Sequence, residues 1–429
     1  MTAIVGILNK KSIALAADSA LTINSPSGHK VLNSANKVFN ISRKHPVGLM
    51  MYASASFMDT PWDLIIKMYR DQLQANSFPS LQCYVDDFIQ FLRKNRFFCS
   101  EKMQHHFLLR HMNFYYNDVL NIAKQNCAKA TGESIEKIPL TTAHDEMLKV
   151  LESHTTTFSS FPKCTDFIDY TLSDFQTDAQ MEIVEIQKLY SSYVQDISLF
   201  HEAFVKSFHT YLCSTHIVFD RTGLVLVGYG DEEIYPSLIP LNISFVFHER
   251  IRGCVDTLNE HHIGEMKKAA ICPFAQTDVM MTILTGIDNG IKELVYNTFD
   301  KTTQKLLDVI VGLLQSHGGD DRILASIANI DISAFSNQFK KSIDDFITEE
   351  YIKKLVETVE YLEKEDLANV AESLIALTSL KRRITSSEES VGGPVDVAVI
   401  SKSDGFIWMK RKHYFDKNLN AQFFQRYNG

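Results

Sequence analysis

Apolar and polar positions come in blocks at the start of this chain. Ala3-Ile4-Val5-Gly6-Ile7 is followed by the polar stretch Asn9-Lys10-Lys11-Ser12 and then by Ile13-Ala14-Leu15-Ala16-Ala17. Two β-prone runs around a polar turn predict a hairpin. With the turn near residue 10 the two arms have similar lengths, so Asp18 returns close to Thr2. Residues 46–56 read as an apolar strand ending in small residues. Thr60-Pro61-Trp62-Asp63 then reads as a helix start, with Thr60 as the N-cap in the manner of a capping box. Trp62, Ile65, Ile66, Tyr69 and Leu73 follow at helical spacing and predict one packed face.

Further along, aromatic and aliphatic residues recur at helical spacings over 83–127 and 180–212, with a Ser/Thr-rich break near 155–160. Helical hairpins are expected there. Residues 217–228 hold two β-branched runs around a polar turn and predict a hairpin, and 242–247 predict another strand. Residues 270–278 lead into a helical run from Val279, and a second helical stretch fills 291–360, with Ile352, Leu355, Val356, Val359 and Leu362 on one face. A helix with Leu367, Val370, Ala371, Leu374 and Leu377 on its packed face runs towards Gly392-Gly393 and the apolar run 395–400. An Asp404-Gly405 turn before Phe406-Ile407-Trp408-Met409 predicts a closing hairpin.

Composition narrows the function classes. At 429 residues and 45% hydrophobic content the chain can bury a large core. A net charge of -9 with no basic run argues against a nucleic-acid surface. There is no eighteen-residue apolar run and no charged-then-apolar leader, so a cytoplasmic protein that neither spans nor enters a membrane is expected. The cysteines are dispersed and include no Cys-x-x-Cys pair, and the histidine clusters lack zincin spacing, so neither metal nor cofactor is expected. Gly228-Tyr229-Gly230 is followed by Asp231-Glu232-Glu233, which repels phosphate and rules against a dinucleotide loop.

The candidate chemistry lies in residue 2. An initiator Met before a small residue is the pattern of cytosolic trimming, and no longer leader is seen, so Thr2 is the expected mature N-terminus. A free N-terminal Thr carries a hydroxyl nucleophile and an α-amine of reference pKa about 7.7–8.0, so nucleophile and base share one residue.

The segment Thr2-Ala3-Ile4-Val5-Gly6-Ile7 with Leu15-Ala16-Ala17-Asp18-Ser19-Ala20-Leu21-Thr22 resembles the start of mature proteasome β-type subunits and of their bacterial two-component relative. The resemblance implies that Thr2 is the nucleophile, and that Asp18 and Thr22 take the corresponding site positions. It also assigns Lys37, in Asn36-Lys37-Val38-Phe39, as the lysine beside the hydroxyl, with Lys30 as the alternative. Such an ammonium lowers the hydroxyl pKa, and Asp18 holds it in place. The family's oxyanion donor, a backbone N–H in a Gly-rich turn, corresponds to Ala53 or Ser54. Where the family carries Gly-Ser-Gly-Ser this chain has Ala275-Gln276-Thr277-Asp278, so Thr277 or Asp278 supplies the polar contact or caps the helix. Near the end, Gly392-Gly393 matches the family's Gly-Gly, Glu388 stands at its Asp, and Val391 stands at its Ser, with Ser390 as the substitute relay.

The expected fold is α+β, a four-layer αββα Ntn-hydrolase sandwich in one domain over 1–412. Its core covers 1–80, 213–290 and 360–412, its helical insertions 81–212 and 291–359, and 413–429 form a tail. The expected function is a proteasome-like threonine hydrolase of peptide or amide substrates that forms homo-oligomers and works with an unfoldase or regulatory partner. The alternatives are a small-amide hydrolase on the same scaffold and a non-catalytic assembly protein with a degenerate site.

Overall fold

Strand β1 (Ala3–Asn9) pairs antiparallel with β2 (Ile13–Ala17), Ile4 opposite Ala17 and Leu8 opposite Ile13. Asn9 is fully buried, and its side chain makes the turn. Its Oδ1 accepts the Lys11 and Ser12 N–H groups, while its Nδ2 donates to the carbonyls of Val359 and Leu362. A buried amide is tolerated here because both its ends are bonded. The computed structural model describes residues 2–25, 28–95, 97–191, 196–217, 221–318, 322, 326–327, 331–385, 391–413, 415–416 and 418–422.

After β3 (Leu21–Ser25) and β4 (Gly28–Leu32), which pair with each other, come β5 (Val38–Asn40), β6 (Val47–Ala53), β7 (Ser56–Phe57) and β8 (Thr60–Pro61). Helix α1 (Trp62–Leu73) buries Trp62, Ile65, Ile66, Tyr69 and Leu73, the expected stripe. Its start differs from the expected capping box. Thr60 is opposite Phe57 in the β7–β8 pair, so Pro61 takes the N-cap position and no side chain caps the helix.

The helical region that follows holds α2 (Leu81–Lys94), α3 (Glu101–Thr131), α4 (Leu140–Ser159), α5 (Leu172–Asp178), α6 (Gln180–Tyr190) and α7 (Ile197–Cys213). The Ser/Thr run near 155–160 does not break a helix. Thr155, Thr156, Thr157 and Ser159 each donate a hydroxyl to the carbonyl four residues back, so their competing polar groups are absorbed within α4.

Strands β9 (Thr222–Gly228), β10 (Ser237–Phe247), β11 (Arg250–Val255), β12 (His261–His262) and β13 (Ala269–Ala275) come next. The hairpin expected within 217–228 is not what β9 forms. Its two neighbours are β6 and β10, which leaves no free edge for the preceding residues; of those, 218–220 lie outside the described residues. The chain closes with α8 (Asp278–Thr285), α9 (Asn289–Ser316), α10 (Ile332–Ile347), α11 (Lys353–Tyr361), α12 (Lys364–Thr385), β14 (Asp396–Ser401) and β15 (Gly405–Lys410). Helix α12 buries Leu367, Ala371 and Leu374 as expected, together with Ala368, Ile375 and Thr378. Leu377 is out of phase with that face and stays 46% exposed.

The protein is thus mixed α+β with antiparallel sheets, and it divides into two compact units with the first cut between Lys37 and Val38. One unit comprises Met1–Lys37, Ile263–Ser401 and Ile407–Gly429. Its five-stranded sheet has the order β13-β1-β2-β14-β15. Helix α12 packs on β1, β2 and β14, and α11 packs on β1 and β13. Ala3, Val5, Ile7, Ala14, Ala16, Leu367, Ala371, Ile375 and Val399 share its core. The other unit comprises Val38–His262 and Lys402–Phe406, with a sheet of order β11-β10-β9-β6-β5 and β12 added beside β10. Helices α2 and α3 pack on β10, and the aromatic residues Tyr115, Phe158, Phe204, Phe208 and Tyr211 build its helical core. Among the described residues no helix is long and apolar enough to cross a membrane.

Candidate active site

The site is built around the residue that ends the first hairpin. The Asp18 N–H donates to the Ala3 carbonyl at 3.1 Å, which continues the β1–β2 pairing by one residue and turns the Asp18 carboxylate towards the start of the chain. Its Oδ1 accepts the Ala3 N–H at 2.9 Å and the Lys37 Nζ at 2.7 Å. Its Oδ2 accepts the Ala20 N–H at 3.1 Å and the Gly392 N–H at 3.2 Å. Asp18 is 1% exposed. A buried carboxylate is costly unless its lone pairs are met, and here two donors reach each oxygen. The Ala20 bond is the local turn cap that an Asp in this place makes, and the other three bonds reach beyond the turn.

Lys37 is 4% exposed, whereas Lys30, on β4, is exposed. Burial separates the two sequence candidates, because only Lys37 meets Asp18. Burial also holds the Lys37 amine below the ordinary lysine pKa; the Asp18 carboxylate works against this, and the Lys412 ammonium adds to it.

Ser19 was assigned no role from sequence, yet it ties three segments together. Its N–H donates to the Gly392 carbonyl at 3.0 Å, its Oγ donates to the Pro394 carbonyl at 2.5 Å, and its carbonyl accepts the Ala35 N–H at 3.1 Å. The signal was present in the Ala17-Asp18-Ser19 segment, but a small buried Ser is indistinguishable in sequence from a surface one. Gly393 completes the junction at φ 76°, and a Cβ there would lie 2.8 Å from the Asn33 Cβ. Glycine is required both by the backbone region and by the close approach.

Thr2 is partly buried, and its carbonyl accepts the Gln276 N–H at 2.9 Å. Ala3 lies opposite Ala275, which ends β13 at φ 65°, a conformation unusual for a residue with a Cβ. Thr277 occupies the N-cap position of α8, but its side chain makes no capping bond. Asp278 pairs with Arg382 of α12 at 2.6 Å and with Lys381 at 3.8 Å, so its carboxylate is engaged by two cations. Thr22 lies on β3 opposite Val31. Glu388 and Ser390 lie outside the described residues. Val391 is 1% exposed and packs in the core beneath α12, and its carbonyl accepts the Ser379 Oγ at 3.3 Å.

Ala53 and Ser54 belong to the second unit, at the end of β6. The Ser54 N–H donates to the Arg221 carbonyl at 3.1 Å, and Ala53 lies opposite Thr222. Antiparallel alternation therefore makes 53/222 a pair without mutual bonds and turns the Ala53 N–H away from β9. Ala53 stands at φ 68°, the left-handed region in which a glycine is unstrained. Of the two candidate donors, the Ala53 amide is the one that the β9 ladder does not use.

No group of three or more His, Cys, Asp or Glu side chains is arranged to hold a metal ion among the described residues. The chain matches no protein-family model and no curated protein.

Proposed function

We propose that this protein is a proteasome-like N-terminal threonine hydrolase that cleaves peptide or amide bonds through an acyl-enzyme on Thr2. One observation carries the reading: a single buried oxygen, Asp18 Oδ1, receives both the N–H of the residue after Thr2 and the Lys37 ammonium. That arrangement brings a desolvated cation to the first residues of the chain and fixes it there. The αββα sandwich is part of the same reading, supported by the sheet with packed helices found in each unit.

In this mechanism the Thr2 Oγ attacks the scissile carbonyl carbon as its proton passes to the α-amine of the same residue. The Lys37 ammonium favours the developing alkoxide, as a nearby positive charge favours any anion. Collapse of the tetrahedral species expels the amine product, which takes the proton from the α-ammonium. Water then attacks the ester with the amine as base, releasing the acid and restoring the hydroxyl. Every step needs a free α-amine on Thr2, so residue 1 has to be removed.

A second reading, a non-catalytic scaffold, is favoured by Val391, an apolar core residue at the position where the resembled family has a hydrogen-bonding Ser. A peptide epoxyketone separates the two, because it reacts with hydroxyl and amine of one terminal Thr together. The expected result is an intact mass one methionine short of the full chain and a stable adduct at residue 2. Thr2→Ala abolishes the adduct and Thr2→Ser keeps part of it. Absence of label on protein shown to begin at Thr2 overturns the hydrolase reading in favour of the scaffold.

A further inference from the structure

A small cavity in the second unit gathers charged side chains that the mechanism above does not use. It holds about 40 Å³, and its lining includes Ser54, Met58, Asp59, Arg110, Arg221 and Ser244, all from that one unit. A water needs about 10–15 Å³ of such space, so there is room for a few waters or for one carboxylate head group. Two guanidinium groups line it against a single carboxylate, that of Asp59.

The lining is held in ways that apolar packing does not call for. Met58 and Asp59 form the two-residue turn between β7 and β8, at φ 48° and 61°. Such a turn favours Asn-Gly, and strain of this kind persists where the surroundings require particular side chains. Asp59 lies 3.7 Å from Arg110, too far for a tight pair, and 59% of its side chain is exposed. The Arg110 guanidinium lies over the Phe107 and Phe114 rings, 5.3 and 5.5 Å from their centres, and this contact restrains it. Ser244 is the extra residue of a bulge in β10: Ile243 lies opposite Gly253 and Phe245 opposite Arg252, so Ser244 has no partner on β11. A bulge re-aims the side chain it carries. Arg252, 2% exposed, donates to Ser244 Oγ at 3.3 Å and to the carbonyls of Tyr211, Ser214 and His216. A guanidinium only donates, so Ser244 accepts that bond and its own proton is left for a guest. Among the described residues the hydrogen bonds of Arg252 end on neutral oxygens, so its buried charge adds to the positive potential beside that hydroxyl.

We propose that this cavity is a carboxylate-binding site, in which Arg110 and Arg221 hold the two oxygens of the ligand and the Ser244 hydroxyl donates to one of them. Arginine suits the task because its planar fork matches a carboxylate. Asp59, more than half exposed, yields Arg110 to the ligand. The site's place in catalysis rests on the hydrolase reading, whereas binding itself does not. Ser54 lines the cavity and follows Ala53, whose amide is the candidate oxyanion donor, so the favoured substrates carry an acidic side chain on the acyl side of the cleaved bond.

The test uses the full chain with 13C in its methionine methyl groups and succinamate as the probe, with its neutral counterpart succinamide as the control. The Met58 methyl reports from the cavity, and its signal is identified by its loss in Met58→Leu. Succinamate shifts that signal saturably, and succinamide needs about tenfold more or beyond for the same shift. Arg110→Met and Arg221→Met each weaken succinamate by about tenfold or more, and Ser244→Ala weakens it by about threefold or more. Lys206→Met removes an exposed charge elsewhere in the unit and leaves binding unchanged. An equal response to both probes, or wild-type binding in both arginine variants, overturns the proposal. Should Arg110→Met not fold, the variant at the exposed Arg221 decides. Succinamate binding without epoxyketone labelling removes only the hydrolase reading, and labelling without succinamate binding removes only this site.

Discussion

Asp18 and Gly392 lie 374 positions apart, and the Gly392 N–H donates to Asp18 Oδ2 at 3.2 Å. The carboxylate that meets Lys37 on one oxygen is thus held on the other by the Gly392 backbone, four residues before β14 begins at Asp396. Ser19 grips the same segment through Gly392 and Pro394. Rigidity of this kind keeps a charged pair oriented without further reorganisation during reaction.

The two candidate lysines are expected to separate cleanly on substitution. Lys37→Met leaves Asp18 buried with three amide N–H donors and no ammonium, which costs about 2–4 kcal/mol of stability. The fold persists, and epoxyketone labelling of Thr2 falls by a factor of about 100 or more. Lys30→Ala, at an exposed position, labels and denatures like the wild type. Wild-type labelling by Lys37→Met together with loss in Lys30→Ala would reverse the assignment.

Asp18→Asn is expected to be worse for folding than Lys37→Met. One oxygen becomes an NH2 group that faces donors whichever way the amide is turned, since both Asp18 oxygens accept backbone N–H groups. A loss of about 3–5 kcal/mol follows, read from the urea midpoint. A midpoint equal to that of wild type would show that the carboxylate is not held as described.

Glycine and alanine exchanges at left-handed positions should have opposite signs. Gly393→Ala combines φ 76° with a 2.8 Å approach to Asn33 and destabilises by about 1–3 kcal/mol. Ala275→Gly, at φ 65° and exposed, releases strain and stabilises by about 0.5 kcal/mol or more. Thermal melts of both variants check this, and destabilisation by Ala275→Gly would contradict it.

Acid should destabilise the protein well before its carboxylates titrate. Burial holds the imidazoles of His144, His154, His201, His209 and His216 below their ordinary value of 6.5. The unfolded chain then binds protons near pH 6.5 that the folded chain binds only at lower pH. This contribution to stability is complete above about pH 6.5 and is lost as the pH falls through the folded-state values. Urea midpoints at pH 7.5 and 5.5 measure the difference, and a higher midpoint at pH 5.5 would sink the idea.

Local pattern determined much of this protein before any tertiary contact was known. The β1–β2 hairpin, the buried stripe of α1, the strand at Val47–Ala53 and the packed face of α12 all follow from apolar periodicity, which records how each element meets its own core. Nearness of Asp18 to the chain start was legible too, because a hairpin converts sequence separation into distance by arithmetic. The misread places have the opposite character. Thr60 is taken by β8, the Ser/Thr run is absorbed inside α4, and β9 is taken by β6 and β10, each through a partner that local composition does not name. The choice of Lys37 over Lys30, the grip of Ser19 on Gly392 and Pro394, and the meeting of Arg110, Arg221 and Ser244 at one cavity were decided only by tertiary structure. The physical reason is that a charged side chain reads alike in sequence whether water or another buried charge surrounds it, and only packing of distant segments fixes which of the two it meets.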